Sequence, residues 1–520
     1  TFSVSRLIGV WDFARVGWMS VGRDQVEWDE DGLAWRRLVV RFLLGVVVFR
    51  VVFNGVYPLD ISGDEAYYWD WGRRLDWGYF SKPPLIGWTN GLLRGLGVDH
   101  PIGMRCFSTF LGTLGLWGVY VLMARLFTRS TGFWAVVALG ATVGNAALNI
   151  CLTTDAWLMP CWVGALYSFW RYMEAPSVRW SLQTALFVGV GVLAKQMMLL
   201  FFPLALIFLV LERRALLRRG LTWLCGGVPL LFLVPSLGWN ARNEWITFTH
   251  TGDHFSKAGF SVVESLTTFG EFVGGQVGLM TPLLFGGMVW ALVWGVRSWR
   301  SVGSNLKYLM VFALPWVGFL LFSFKKTVNP NWPLLFDVAG ILLFAGVASV
   351  RGEGVRRWYR RAVWVGVVFT GLLYGMLQLV PRSGLDVTRV VPLREISGWS
   401  AYGERVGALH AQVPRPEETM VIACGHRYYA AALAFYHPER PQVFHWHPAA
   451  KVNSQYDLWE QPSASAGVDA LVVVHGEGGV PASLAERFER VEKWDQFSVP
   501  AQGRRVREYG VYLGVRWRDE

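Results

Sequence analysis

Apolar residues in this chain come in long blocks, separated by short polar connections rich in arginine. A helix needs about 17–25 mostly apolar residues to cross a bilayer. Runs near that length occupy 36–57, 104–126, 133–150, 156–171, 181–194, 197–212, 220–239, 270–296, 307–324, 332–350 and 362–380. They predict an all-α polytopic membrane protein of about 11 transmembrane helices, give or take two. The apolar stretch 84–97 is too short to span comfortably and reads as interfacial or re-entrant. Beyond residue 380 the pattern changes. Met420-Val421-Ile422-Ala423 and Ala470-Leu471-Val472-Val473-Val474 read as buried strands, and Tyr428 to Tyr436 as a helix. This tail, roughly 140 residues, is the size of one small domain and predicts a soluble C-terminal α/β unit.

Charge then orients the blocks. Arg125 and Arg129, Arg171 and Arg179, Arg213 to Arg219, Arg297 to Lys307, and Arg351 to Arg361 all fall in alternate connections. Loops rich in Lys and Arg stay on the cytoplasmic side. The expected layout is a cytoplasmic segment 1–35, a membrane domain 36–380 with an outer loop 58–103, and an exported periplasmic domain 381–520. Residues 1–35 are mixed and polar, with no cleavable signal, so the first span is expected to act as an uncleaved anchor. The protein is placed in the cytoplasmic (inner) membrane.

Composition agrees with this picture. Hydrophobic residues make up 53% and charged residues 17%, with 29 Trp, and mean hydropathy is +0.32. The net charge of +11 resides in the membrane-flanking turns, and no basic nucleic-acid motif accompanies it, so a nucleic-acid partner is excluded. The five cysteines show neither metal-ligand spacing nor a disulfide framework. No metal site is expected.

One polar stretch stands out between the first two spans: Gly63-Asp64-Glu65-Ala66-Tyr67-Tyr68-Trp69, then Trp77-Gly78-Tyr79-Phe80-Ser81-Lys82-Pro83-Pro84-Leu85. Carboxylates beside a bilayer are costly unless they are used. Asp64 and Glu65 fit a general base or a ligand for a divalent cation, while Ser62 and Asp64 also fit an N-cap in front of a short helix. Lys82 is held extended by the prolines that follow it. Its ammonium suits a lipid phosphate or simple snorkelling to the headgroups. Asp155 at a helix start is a cap or a substrate contact, and Lys195 between apolar runs needs a ligand or a carboxylate partner. His250, Asp253 and His254 share a loop without diagnostic metal spacing. Asn331 and Trp332 read as a sugar-facing pair or as an interfacial anchor.

These residues closely resemble the first outer loop of C-type-fold (GT-C) glycosyltransferases, the family of dolichyl-phosphate-mannose–protein mannosyltransferases and the bacterial lipid A aminoarabinose transferase. Later matches keep the family order: Thr153-Thr154-Asp155, Gly191 to Gln196, Asn329-Pro330-Asn331-Trp332-Pro333, Arg427-Tyr428-Tyr429, and Asn453 to Trp459. The resemblance covers about 36–460; Lys195-Gln196 and Thr153-Thr154-Asp155 fit the relatives loosely. It implies a polyprenyl-phosphate-linked sugar as donor, Asp64 as the catalytic carboxylate with Glu65 beside it, and Lys82 at the carrier phosphate.

The chemistry is coherent on its own terms. A sugar leaving on phosphate needs fixed positive charge more than a general acid. Lys82 supplies it, helped by Lys195, Arg105 or the Lys325-Lys326 pair, while Tyr67, Tyr68 and Trp69 shape the cavity and Tyr79 joins Tyr67 and Tyr68 as a donor contact. One base then suffices for inverting displacement by an acceptor hydroxyl, whether on lipid A, a protein or a cell-surface glycan. No cofactor is required on this reading; Mg²⁺ or Mn²⁺ is the alternative. A lipid-linked-sugar flippase would share the many spans and membrane-facing charges, but no inverted repeat accompanies them.

Overall fold

The computed structural model describes residues 28–56, 59–253, 261–383, 396–447, 452–459, 467–476, 478–502 and 505–518. Helix α1 (Trp28–Val56) turns Leu44, Val48 and Val52 outward, as a lipid-facing helix does. Two short helices follow, α2 (Gly63–Trp71) and α3 (Leu85–Gly95). They carry the loop expected to face outward, and the segment expected to be re-entrant is α3. Helix α4 (Pro101–Leu126) starts on a proline, whose missing N–H costs nothing at that position.

The span expected at 133–150 is two helices, α5 (Arg129–Gly140) and α6 (Val143–Ile150), bent by 70°. Thr142 makes the break: its hydroxyl donates to Leu139 O and accepts from Asn145 N, closing one helix and capping the next. Helix α7 (Thr154–Glu174) and helix α8 (Val178–Ala194) follow. Lys195 leaves α8 in an extended conformation, and a 3-10 turn leads into α9 (Phe201–Glu212). Then come α10 (Gly220–Leu231), α11 (Val234–Arg242) and α12 (Ile246–Asp253).

The stretch 270–296 is likewise divided. Helices α13 (Val262–Met280) and α14 (Pro282–Arg297) meet at 109°. Thr281 sits at φ 74° and Pro282 cannot donate a hydrogen bond to the preceding turn, so the helix must restart. Helices α15 (Ser304–Phe322), α16 (Leu334–Val350) and α17 (Glu353–Ser383) complete the membrane part. Among the described residues five helical segments are long and apolar enough to cross a membrane, seven if each bent pair counts as one. Their shared core centres on Trp162, whose ring meets Phe201, Phe312 and Phe336 edge-on.

The tail is an α/β unit, as its strand pattern predicts. Helix α18 (Trp399–His410) leads into β1 (Met420–Cys424), α19 (Arg427–Tyr436), β2 (Val443–Trp446), β3 (Ala470–His475), β4 (Phe488–Gln502) and β5 (Arg505–Trp517). The sheet order is β2-β1-β3-β5-β4. Parallel pairing joins β1 to β2 and β3, and antiparallel pairing joins β5 to β3 and β4. Alternation along β1 and β3 divides their side chains between two cores. Ile422, Cys424, Val472 and Val474 face one side with Phe488 and Trp517. Val421, Ala423, Leu471 and Val473 face the other, and share a single core with Tyr67, Trp69 and Trp71 of α2 and Met104 of α4. The tail thus packs directly on the outer loop.

Candidate active site

The site begins where α2 begins. Ser62 caps the helix and forms a reciprocal box with Glu65, each side chain bonding the other's backbone N–H. The capping role read for this stretch therefore falls to Ser62 and Glu65. Glu65 is fully buried. Its second oxygen accepts from Leu152 N at 2.9 Å, and Arg105 lies 4.0 Å away. Arg105 is also buried, donating to the carbonyls of Leu59 and Asp60 at 2.7 and 2.8 Å. Both groups fasten the loop between α1 and α2 to α4 and to the start of α7. Glu65 and Arg105 are framework here, not open to a donor.

Asp64 has the opposite environment. Its side chain is 43% exposed and pairs with Arg427 at 3.4 Å. Arg427 is the first residue of α19 and stacks over Tyr67 and Tyr428 at 5.2 and 4.9 Å. Contact between the two helix starts is close: a Cβ on Gly63 would lie 2.2 Å from the Tyr428 ring. Only glycine fits there.

The loop from α2 to α3 brings in Lys82. Tyr79 stacks on Trp71 with ring centroids 4.3 Å apart, and its hydroxyl bonds the carbonyls of Trp71 and Arg74 and the N–H of Asp76. Tyr79, expected at the donor, thus folds the loop on itself. Phe80 N donates to Gln455 Oε1 at 2.7 Å, and Thr247 donates to Tyr79 O at 3.0 Å. Held from both sides, half-buried Lys82 lies within electrostatic range of Lys195, Asp155, Asp64 and Arg427. Burial, reinforced by Lys195, pulls its amine down to about 8.

Lys195 and Asp155 find each other. Their ion pair is 2.7 Å long and mostly buried, so the carboxylate partner that Lys195 needs is Asp155, and Asp155 makes no cap bond. Tyr68 is buried within range of Asp64, Arg427 and Asp155. Tyr67 accepts from Gln455 N of the tail. One polar cluster therefore gathers Asp64, Lys82, Asp155, Lys195, Arg427 and Tyr68 within electrostatic range of one another, with three cations against two carboxylates.

Other expected residues lie around it or apart. The His250 ring packs on Phe80 at 4.6 Å, beside Lys82. Asp253 offers its carbonyl to Lys326; His254 is outside the described residues. Lys325 and Asn331 are exposed in the α15–α16 connection, where Trp332 packs against Phe319. Arg427 opens the Arg427-Tyr428-Tyr429 match, yet the sequence pattern does not single it out for the site. A cation opening a helix opposes the helix dipole, and that misfit signals a carboxylate partner elsewhere.

A metal trio is also conceivable in the tail: His410, His437 and Glu439 place one ligand atom each within 4.8 Å of one another. Hydrogen bonding accounts for the two rings. His410 Nε2 faces Thr419 O, His437 Nδ1 accepts from Glu439 N, and the remaining nitrogens meet at 3.2 Å.

Comparison with known proteins agrees with this architecture. The family model described as dolichyl-phosphate-mannose-protein mannosyltransferase matches residues 81–239. Lipid A galacturonosyltransferase RgtD from Rhizobium johnstonii is 30% identical over 310 residues, or 58% of this chain. The chain spans 63% of that relative's length. ArnT from Cupriavidus metallidurans superposes with TM-scores of 0.61 in the apo state and 0.60 bound to undecaprenyl phosphate, at 18% identity. Each superposition covers 92% of this chain and 98% of ArnT. The resemblance read from the outer loop is thereby borne out, and the chain has the GT-C glycosyltransferase fold.

Proposed function

We propose that this protein is an integral membrane glycosyltransferase. It moves a sugar from a polyprenyl-phosphate donor to an acceptor hydroxyl at the outer face of the cytoplasmic membrane. One observation carries this reading: Lys82 lies within electrostatic range of Asp64, 18 positions away in sequence, and of Asp155, Lys195 and Arg427. The carrier of the ArnT complex and the acceptor in the name of RgtD support undecaprenyl phosphate and a lipid A-type hydroxyl as the starting pair for assay.

In this mechanism Asp64 takes the proton of the acceptor hydroxyl as its oxygen bonds to the anomeric carbon. The bond from that carbon to the phosphate oxygen breaks, its electron pair leaves with the carrier phosphate, and the anomeric configuration inverts. Lys82 stabilises the departing charge by a fixed ammonium. Asp155 holds Lys195 beside it, and Arg427 holds the Asp64 carboxylate in place. Three nearby cations meet the need for positive charge, so the reaction is proposed to run without Mg²⁺ or Mn²⁺. A chelator that stops transfer, with Mg²⁺ restoring it, overturns that point.

On this reading α2, α3 and the tail lie on the outer side of the membrane. Purified protein is to be incubated with undecaprenyl-phosphate sugars and lipid A, and products read by mass spectrometry. Sugar-modified lipid A with release of undecaprenyl phosphate supports the proposal. Translocation of the donor without cleavage refutes it in favour of a flippase.

A further inference from the structure

The stretch Asn453 to Trp459, matched in family order, has no part in the transfer chemistry above. It begins as a tight turn. Asp457 Oδ2 accepts from the N–H groups of Asn453 and Ser454 at 2.8 and 2.9 Å and from the Ser454 hydroxyl at 3.2 Å. Its other oxygen faces His445 Nδ1 at 3.4 Å, and His445 Nε2 donates to Gly425 O at 2.8 Å. The turn is thus fastened to edge strand β2 and to the end of β1. From this base Gln455, 2% exposed, reaches across to the outer loop. Its backbone N–H donates to the Tyr67 hydroxyl, and its side-chain Oε1 accepts from Phe80 N at 2.7 Å. Phe80 belongs to a four-residue loop, Tyr79 to Lys82, that Tyr79 N closes on Lys82 O at 3.1 Å. Lys82 is two residues from the bond to Gln455, and Pro83 restricts the backbone beyond it. A shift of Phe80 within so short a closed loop is passed on to Lys82.

We propose that Gln455 is a positioning residue: from the tail it fixes the lysine loop so that Lys82 meets the carrier phosphate of the donor. The proposal rests on the transferase reading above and assigns the tail to the donor side of the reaction. An amide oxygen suits the task. A buried backbone N–H without a partner is costly, so the loop keeps the one position in which Phe80 N is satisfied. Tyr456, the next residue, makes a comparable bond, its hydroxyl donating to Asp70 Oδ2 at 2.9 Å. That bond ends on α2 and not on the lysine loop. Comparing the two residues separates positioning of Lys82 from mere attachment of the tail.

The test uses the full chain in neutral detergent with undecaprenyl-phosphate sugar and lipid A. In Q455L, kcat/KM for the donor is expected to fall by roughly 10-fold while KM for the acceptor stays within about twofold. Q455E keeps an acceptor oxygen at the same place and recovers to within about threefold of wild type. Y456F loses the bond to Asp70 and leaves donor kcat/KM within about twofold. Lys82 is also read without turnover, by reductive methylation across a pH series and mass spectrometry. Its wild-type midpoint is expected near 8, and in Q455L, where the loosened loop admits water, at about 9 or above. If Q455L does not fold, Q455A serves with the same expectations. An unchanged donor kcat/KM or an unchanged Lys82 midpoint in the Gln455 variant overturns the inference. So does an equal loss in Y456F, or a loss that falls on acceptor KM instead. A wild type that transfers no sugar refutes the transferase reading alone, and the Lys82 midpoint then decides whether Gln455 sets the lysine.

Discussion

Asp64 and Arg427 stand 363 positions apart in the chain and 3.4 Å apart in space, each in the first turn of its helix. Replacing Asp64 with Asn removes the proposed base and leaves the fold. Turnover falls by about 10²–10⁴ while the unfolding midpoint holds. Near-normal turnover in D64N removes Asp64 from that role. Arg427→Gln frees the carboxylate from its anchor, and turnover falls by roughly 10-fold or more, with partial recovery in Arg427→Lys. A kcat unaffected by R427Q refutes its positioning role.

Glu65 predicts the reverse phenotype from the neighbouring position. Its oxygens close the cap on Ser62 and accept from Leu152 N. Glu65→Gln swaps one acceptor oxygen for a donor and leaves buried Arg105 facing a neutral group. A loss of about 1–3 kcal/mol of stability is expected, with kcat of the folded fraction within about tenfold. A stable but inactive E65Q shows that Glu65, not Asp64, carries the chemistry.

Lys82 sets a pH limit. Burial and Lys195 lower its amine to about 8, so the free site is charged below that value and neutral above it. Donor affinity is expected to hold from pH 6 to 7 and to weaken as pH rises through about 8, seen as a rising KM for donor. In K82R the decline vanishes over that range, because guanidinium stays protonated. A flat wild-type KM up to pH 9 refutes the assignment of Lys82 to the phosphate.

Gly63→Ala tests the contact between outer loop and tail. The added methyl would meet the Tyr428 ring, and overpacking of this kind costs about 1–3 kcal/mol. Proteolysis of the tail in native membranes is expected to accelerate in G63A. Unchanged cleavage shows that the contact yields without loss.

His437 gives the tail its own acid sensitivity. Burial and the adjacent His410 hold it down to about 4, against 6.5 when unfolded, with Glu439 as the opposing influence. Between those values the unfolded chain binds the extra proton. Stability of the tail therefore falls as pH drops from about 6.5 to about 4, then levels off. Thermal unfolding of H437Q across that window is expected to be flatter than wild type; identical slopes refute the assignment.

Helix blocks and the strands β1 and β3 were legible in the sequence because burial on all sides leaves continuous apolar runs. The breaks at Thr142 and Thr281 were not, since an apolar run reads the same whether it crosses straight or turns. Strand β4 escaped for the opposite reason. Residues Phe488 to Gln502 carry charges through much of the strand, the composition of a solvated edge. At the site, Asp64 and Lys82 were readable because both lie in the polar stretch between the first two spans. The division of labour between Asp64 and Glu65 was not. It depends on Ser62 and Leu152, whose backbone N–H groups claim one of two adjacent acids.

The aromatic core shared by α2 and the tail sets a rule for chimeras. A C-terminal unit grafted from a relative would meet Tyr67, Trp69 and Trp71 with foreign side chains, and would supply its own counterpart of Gln455 to the lysine loop. Transplants cut at the end of α17 should misfit, whereas those that carry 59–84 along with the tail move Asp64, Lys82 and Arg427 as one piece.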